Sequence, residues 1–389
     1  MSLPPDIDPS LIEAHPHLRV VFGAGTVSQA GILAREMGAT HALLVTDAGL
    51  LAAGHAEVVR GHLARAGVAV TLYGRAKENP TTACVDDCVG VARAAGADFI
   101  LGLGGGSSMD TAKGANFILT NGGQMKDYWG VGKATQPMLP SLMIPTTAGT
   151  GSECQSFALI ADNLTHQKMA CGDPKAMARV AILDPTLTLS QPARVSACTG
   201  IDALAHAVET AVTRKRTDLS ARYSAAAFKL ISENLPRVLA SPGDLEARSR
   251  MLLGAALAGT AIEESMLGAA HSAANPLTAH FDLAHGHAVG LMLPHVVRFN
   301  GQLESAGAHY QQLRACGDAS TNGKPAEALA QLIESLMDAA GLSRHLATCG
   351  VEESSVGTLA AEAARQWTAQ FNPRPAALED FDRLYRAAW

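Results

Sequence analysis

Five short apolar runs, each suited to a β-strand, alternate with helical stretches through the first half of the chain. They are HALLVTD (His41–Asp47), VAVTLYG (Val68–Gly74), DFILGLGGG (Asp98–Gly106), PSLMIPTT (Pro140–Thr147) and ARVAILDP (Ala178–Pro185). Between the first three lie the amphipathic segments HAEVVRGHLARAG and ACVDDCVGVARAAG. Alternation of this kind predicts a parallel sheet wrapped by helices. After about Ser190 the texture changes. SQPARVSAC has turn character, and from Asp202 onward apolar residues recur every three or four positions. The expectation is therefore two domains: an α/β domain over residues 1–190 and an all-α domain over residues 191–389.

With 48% hydrophobic and 17% charged residues the chain is not a disordered one. A formal net charge of −6 offers no broad basic field to nucleic acid or to an anionic membrane, and TRKRT (Thr213–Thr217) reads as a solvated loop. No uninterrupted apolar run approaches a membrane span, and MSLPPDIDPSL lacks the apolar core of a signal peptide. Seven scattered cysteines (Cys84, Cys88, Cys154, Cys171, Cys198, Cys316 and Cys349) suit reduced thiols. The expected setting is the cytoplasm.

GLGGGSSMDTAK (Gly102–Lys113) follows a strand and opens a helix. Its glycines let backbone approach a phosphate closely, and the helix start offers free N–H groups. FGAGTVS (Phe22–Ser28) is a rival, but Ser28 stands where the third glycine of a dinucleotide fingerprint belongs. Asp47, closing LLVTD, is placed either to accept hydrogen bonds from a ribose or to cap a helix. IPTTAGTGSE (Ile144–Glu153) adds Thr146, Thr147 and Thr150 after another strand. Ligands of open parallel sheets collect at the carboxyl ends of strands, so these three polar loops suggest one large polar ligand, most simply a dinucleotide.

GIDALAHAVE (Gly200–Glu209) sets Asp202 and His206 one helical turn apart, on one face and among apolar neighbours. A buried carboxylate beside a buried imidazole needs a partner, and a metal is the simplest. HSAANPLTAHFDLAHGHAVG (His271–Gly290) then crowds His271, His280, His285 and His287 into twenty residues. Pro276 is expected to bend or end the helix carrying His271, and His285 to start the next one. Asp202, His206, His271 and His285 would form one carboxylate and three imidazoles. That set suits Fe(II), Zn(II) or another first-row divalent ion.

GGGSSMDTAK, IPTTAGTGSE, GIDALAHAVE and HGHAVGLMLPHVVRFN, in this order, resemble the iron-dependent (group III) alcohol dehydrogenases, a family that includes lactaldehyde reductases and propanediol dehydrogenases. The resemblance runs from about Phe22 to Asn300. It implies a dehydroquinate synthase-like architecture, with the metal on Asp202, His206, His271 and His285. It also implies cofactor contacts from Asp47, Asn79, Gly105, Gly106, Ser107, Thr146, Thr147, Thr150, Lys168 and Leu187, the triple-glycine loop taking the pyrophosphate. The implied activity is hydride transfer between NAD(P) and a small alcohol or aldehyde, in a homo-oligomer. Asp47 should repel a 2′-phosphate, favouring NAD(H) over NADP(H). Where many members carry a second histidine, in the pattern His-x-x-x-His-Pro, this chain has Asn275. Asn275 can orient substrate or nicotinamide but cannot act as general acid near neutral pH, which leaves the proton to travel by a metal-bound water, a ribose hydroxyl or a neighbouring histidine such as His280 or His287. The rivals are a lyase of the dehydroquinate synthase type, a metal-free maleylacetate reductase-like enzyme and a nucleotide-binding scaffold. The first would need basic residues near the ligands, and the intact ligand set argues against the others.

Overall fold

The computed structural model describes residues 3–5, 7–13, 17–165, 167–315 and 324–389; Cys316 lies outside them. Two compact units divide the chain: Met1–Thr147 with Gly151–Gln191, and Pro192–Trp389 with Ala148–Thr150.

Among the described residues the first unit holds nine strands: β1 (Arg19–Phe22), β2 (His41–Asp47), β3 (Ala69–Ala76), β4 (Phe99–Gly104), β5 (Gly130–Val131), β6 (Ser141–Pro145), β7 (Phe157–Ala161), β8 (Lys168–Gly172) and β9 (Val180–Leu183). Six form one parallel sheet in the order β1-β9-β6-β4-β2-β3. Its crossovers include helices α1 (Ala30–Glu36), α2 (His55–Arg65), α3 (Thr82–Ala95) and α4 (Gly106–Asn121). Every residue of the central strand β4 is buried, as a strand covered on both faces requires. From β2 the chain moves outward to β3, then returns to β4 on the other side of β2. The topological switch point therefore lies between β2 and β4, where such sheets bind ligands.

Two features here were not expected. Edge strand β1 is four residues long, and a three-stranded sheet in the order β5-β8-β7 contains the antiparallel pair β7–β8. FGAGTVS begins at the last residue of β1, which is separated from β4 by two strands, and Gly25 there takes φ +79° before a short helical turn.

The second unit is wholly helical: α5 (Ala193–Thr210), α6 (Asp218–Ala240), α7 (Leu245–Ser265), α8 (Ala269–Phe281), α9 (His285–Asn300), α10 (Glu304–Ala315), α11 (Pro325–Ala339), α12 (Val356–Arg365) and α13 (Leu378–Ala388). Helix α5 packs against α6, α7 and α9, and nearly all of it from Ser196 onward is buried. A helix covered on all sides carries apolar residues all round, so it lacks the clean stripe of a surface helix. Most of SQPARVSAC, expected to be turn, forms the first third of this helix. Pro276 does not end α8, which runs through it to Phe281. An interior proline costs about 3 kcal/mol. Here α8 is packed against α9, α12 and the short turn Trp367–Phe371, and that packing outweighs the lost bond. No helix among the described residues is long and apolar enough to cross a membrane.

Candidate functional site

Asp202 and His206 stand one turn apart on α5, and both are 4% exposed. Helix α8 brings His271, also 4% exposed, and the first residue of α9 is His285. The four converge on one oxygen. Asp202 Oδ1 lies 3.5 Å from His206 Nε2, 3.5 Å from His271 Nε2 and 3.9 Å from His285 Nε2. Asp202, His271 and His285 each offer a donor atom within 4.8 Å of the other two. His206 is not in that mutual set, but its ring stacks on His271 with centroids 4.9 Å apart.

Two observations say what fits here. Asp202 Oδ1 and His271 Nε2 are buried, yet neither has a hydrogen-bond partner. Leaving a buried polar atom unpaired costs about 1–3 kcal/mol, more for a charged group. A carboxylate oxygen with imidazole nitrogens is also the donor set of a first-row divalent cation. Burial alone would raise the Asp202 carboxyl, but His206, His271 and His285 hold it well below the usual carboxylate range. Burial pulls His206 down to about 4 against the attraction of Asp202, so its imidazole is neutral. Neutral imidazoles and an ionised carboxylate are the forms that ligate.

Glu209, seven residues past Asp202 on α5, is 3% exposed. One carboxylate oxygen meets His271 Nδ1 at 2.5 Å, and the other accepts the Ala270 amide at 2.7 Å. Burial lowers the His271 pKa, but Glu209 and Asp202 overcome it and raise it. Glu209 lay inside GIDALAHAVE and was passed over. Its spacings of seven from Asp202 and three from His206 place all three on one face.

The remaining histidines of the cluster go elsewhere. His280 is on α8, exposed, and meets Glu362 at 2.9 Å. His287 is buried, donates from Nε2 to the Ser343 carbonyl at 2.9 Å, and is lowered by burial. Asn275, one turn beyond His271 on α8, donates from Nδ2 to Gln366 Oε1 at 3.1 Å.

In the α/β unit, the predicted cofactor residues gather mainly beyond the carboxyl ends of parallel strands. Asp47 ends β2, Gly105, Gly106 and Ser107 follow β4, and Thr146 and Thr147 follow β6. Asn79 follows β3 at φ +49°, and Leu187 follows β9. Asp47 caps the short helix Ala48–Ala52 through the Leu50 amide at 3.0 Å, while Ser108 Oγ donates to its other oxygen at 3.3 Å. That bond spans the switch point. Gly104 has φ +146°, and a β-carbon there would sit 2.6 Å from Ser108 Oγ. Thr146 N donates to the Gly104 carbonyl at 3.0 Å. Two predicted residues stand apart: Lys168 opens β8 of the second sheet, and Thr150 belongs to the helical unit.

The rest of GGGSSMDTAK braces this loop. Lys113, 2% exposed, donates from Nζ to the Ser152, Gln155 and Phe157 carbonyls and to Ser152 Oγ, at 2.7–3.0 Å. Ser152 Oγ in turn donates to Asp110 Oδ1 at 2.7 Å. A buried ammonium is tolerated only with such partners. The effect is to tie α4 to the chain that follows IPTTAGTG.

Residues 16–185 match the model of the iron-containing alcohol dehydrogenases, and residues 196–389 match that of the C-terminal domain of the Fe-containing alcohol dehydrogenase family. The chain is 34% identical over 372 residues to the NAD-dependent methanol dehydrogenase of Bacillus methanolicus, covering 95% of this chain and 97% of that one. It is 33% identical over 374 residues to the lactaldehyde reductase of Escherichia coli K12, with the same coverage. The crystal structure of a 1,3-propanediol oxidoreductase superposes with a TM-score of 0.92 at 31% identity, covering 95% of this chain and 97% of that one.

Proposed function

This chain belongs to the iron-containing alcohol dehydrogenase family of oxidoreductases, and we propose that it interconverts a small alcohol and its aldehyde with NAD(H). The observation that carries this reading is the convergence of three imidazoles on Asp202 Oδ1, with the facing Asp202 and His271 atoms buried and without a hydrogen bond. Asp202, His206, His271 and His285 would hold one divalent ion, Fe(II) first and Zn(II) as the alternative. When bound, the ion supplies Lewis-acid polarisation of the substrate oxygen and the nicotinamide carries the hydride.

This chain's own residues do the positioning. Asp202 brings the negative charge that offsets a dication, and the histidines bring neutral nitrogens. Asp47, Asn79, Gly105, Gly106, Ser107, Thr146, Thr147, Thr150, Lys168 and Leu187 would hold the dinucleotide. The run from Gly104 to Ser107 supports this, because bare backbone at a helix start accepts a pyrophosphate. Asp47 disfavours a ribose 2′-phosphate, hence the preference for NAD(H). Asn275, with its amide tied to Gln366, orients substrate or nicotinamide and gives up no proton near neutral pH.

The test reconstitutes the protein with Fe(II) or Zn(II) and screens alcohols and aldehydes with both cofactors. Turnover should appear with NAD(H) in preference to NADP(H). His271→Ala and His285→Ala should each lose the metal and at least about 100-fold in turnover. Full metal content and activity in either variant would sink the assignment.

A further inference from the structure

Glu209 occupies the point where α5 meets the first turn of α8. That turn begins at Gly268, which has no side chain to cap it. Its first amides are taken by remote groups: Ala269 N donates to Asn372 Oδ1 at 3.2 Å, and Ala270 N to Glu209 Oε1 at 2.7 Å. A carboxylate at a helix N-terminus also opposes the positive end of the dipole. The other oxygen, Oε2, faces His271 Nδ1 at 2.5 Å. A β-carbon on Gly268 would stand 3.0 Å from Glu209 Oε1 and 2.9 Å from Asn372 Oδ1, so glycine leaves room for both groups.

Resting on the metal site proposed above, we infer that Glu209 is a positioning residue that keeps the His271 proton on Nδ1 and thereby leaves the Nε2 lone pair facing Asp202. A carboxylate can only accept from Nδ1, so when the ring gives up one proton to bind a metal, the proton it keeps sits on Nδ1 and Nε2 is the nitrogen free to ligate. That nitrogen is one of the buried atoms without a hydrogen bond among the proposed ligands. The second oxygen fixes the turn that carries His271, so one side chain sets both the tautomer and the place of the ligand. Outer carboxylates of this kind orient histidine ligands and raise their basicity.

Glutamine tests the idea because it keeps the shape and loses the symmetry. If its oxygen stays on the Ala270 amide, its NH₂ meets Nδ1 and drives the proton to Nε2. If it turns round, the NH₂ opposes the Ala270 N–H. In full-length metal-free protein titrated with Co(II), Glu209→Gln should bind about 10–100-fold more weakly than wild type, with a thermal midpoint close to that of wild type. Zinc-loaded protein with ¹⁵N-labelled histidine supplies a readout that a purely structural role would not move. Wild type should show a protected, downfield His271 Nδ1–H that Glu209→Gln lacks. Should Glu209→Gln fail to fold, Glu209→Asp takes its place, with weakened Co(II) binding and a weakened Nδ1–H shift expected. Unchanged Co(II) affinity, or lost affinity with an unchanged Nδ1–H, overturns the inference. Wild-type protein that takes up no Co(II) overturns the metal reading itself, and this inference with it.

Discussion

Glu153 is 1% exposed in the turn that follows IPTTAGTG, and burial raises its pKa from 4.5 to about 7 against the opposing pull of a backbone amide and Lys113. A carboxyl bound more tightly to its proton in the folded state has a definite effect on stability. Below the unfolded value both states are protonated and folding loses nothing. Between about 4.5 and 7 the unfolded chain releases a proton that the folded chain keeps, so stability falls as pH rises. Each unit is worth about 1.4 kcal/mol, which sets an upper limit of about 3 kcal/mol here. Glu153→Gln, neutral at every pH, should therefore stabilise the protein at pH 8 and do little at pH 4.5. Urea unfolding at both values measures it. An equal effect at the two pH values would show that the substitution acts through packing.

At the level of elements, Gly286 decides how close α9 comes to α5. A β-carbon there would fall 1.9 Å from the Cys198 carbonyl oxygen and 3.1 Å from Asp202 Cβ. The obstacle is backbone, so no rotamer change relieves it. Gly286→Ala should push the start of α9 off α5, costing about 3 kcal/mol and separating His285 from Asp202. Metal analysis together with the unfolding midpoint reads both effects, and a variant with unchanged metal content would refute the coupling. None of this was visible in HGHAVG, because the need for glycine depends on which helix lies opposite. Asp202 and His206 were legible because one helical turn fixes their spacing whatever surrounds them. The strand-to-helix passage at Gly102–Lys113 was legible for the same local reason. Pro276 does not end its helix, because packing supplied by distant elements outweighs its local preference. Strand β5, two residues long, was too short to leave a periodic pattern.

At the scale of the whole chain, the two proposed ligand sets fall in different units. Asp202, His206, His271 and His285 all belong to the helical unit, while every predicted cofactor residue except Thr150 belongs to the α/β unit. Each unit has its own buried core, with α5 at the centre of one and β4 at the centre of the other. A ligand stabilises the structure it binds by an amount that grows with its excess over Kd, about 4 kcal/mol at a thousandfold excess. Removing the metal with a chelator should therefore loosen α5, α8 and α9, where three imidazoles and a carboxylate would face one another without the cation that joins them. Amide exchange in those helices should accelerate, while β2, β4 and β6 keep their protection. Turnover should be lost on chelation and return with added Fe(II) or Zn(II). NADH binding, followed by its fluorescence, should change by less than about fivefold, the lower end of what couples two sites. Loss of NADH binding in step with the metal would mean that the nucleotide depends on the helical unit far more than Thr150 alone suggests. The cofactor assignment would then have to be redrawn around residues of that unit.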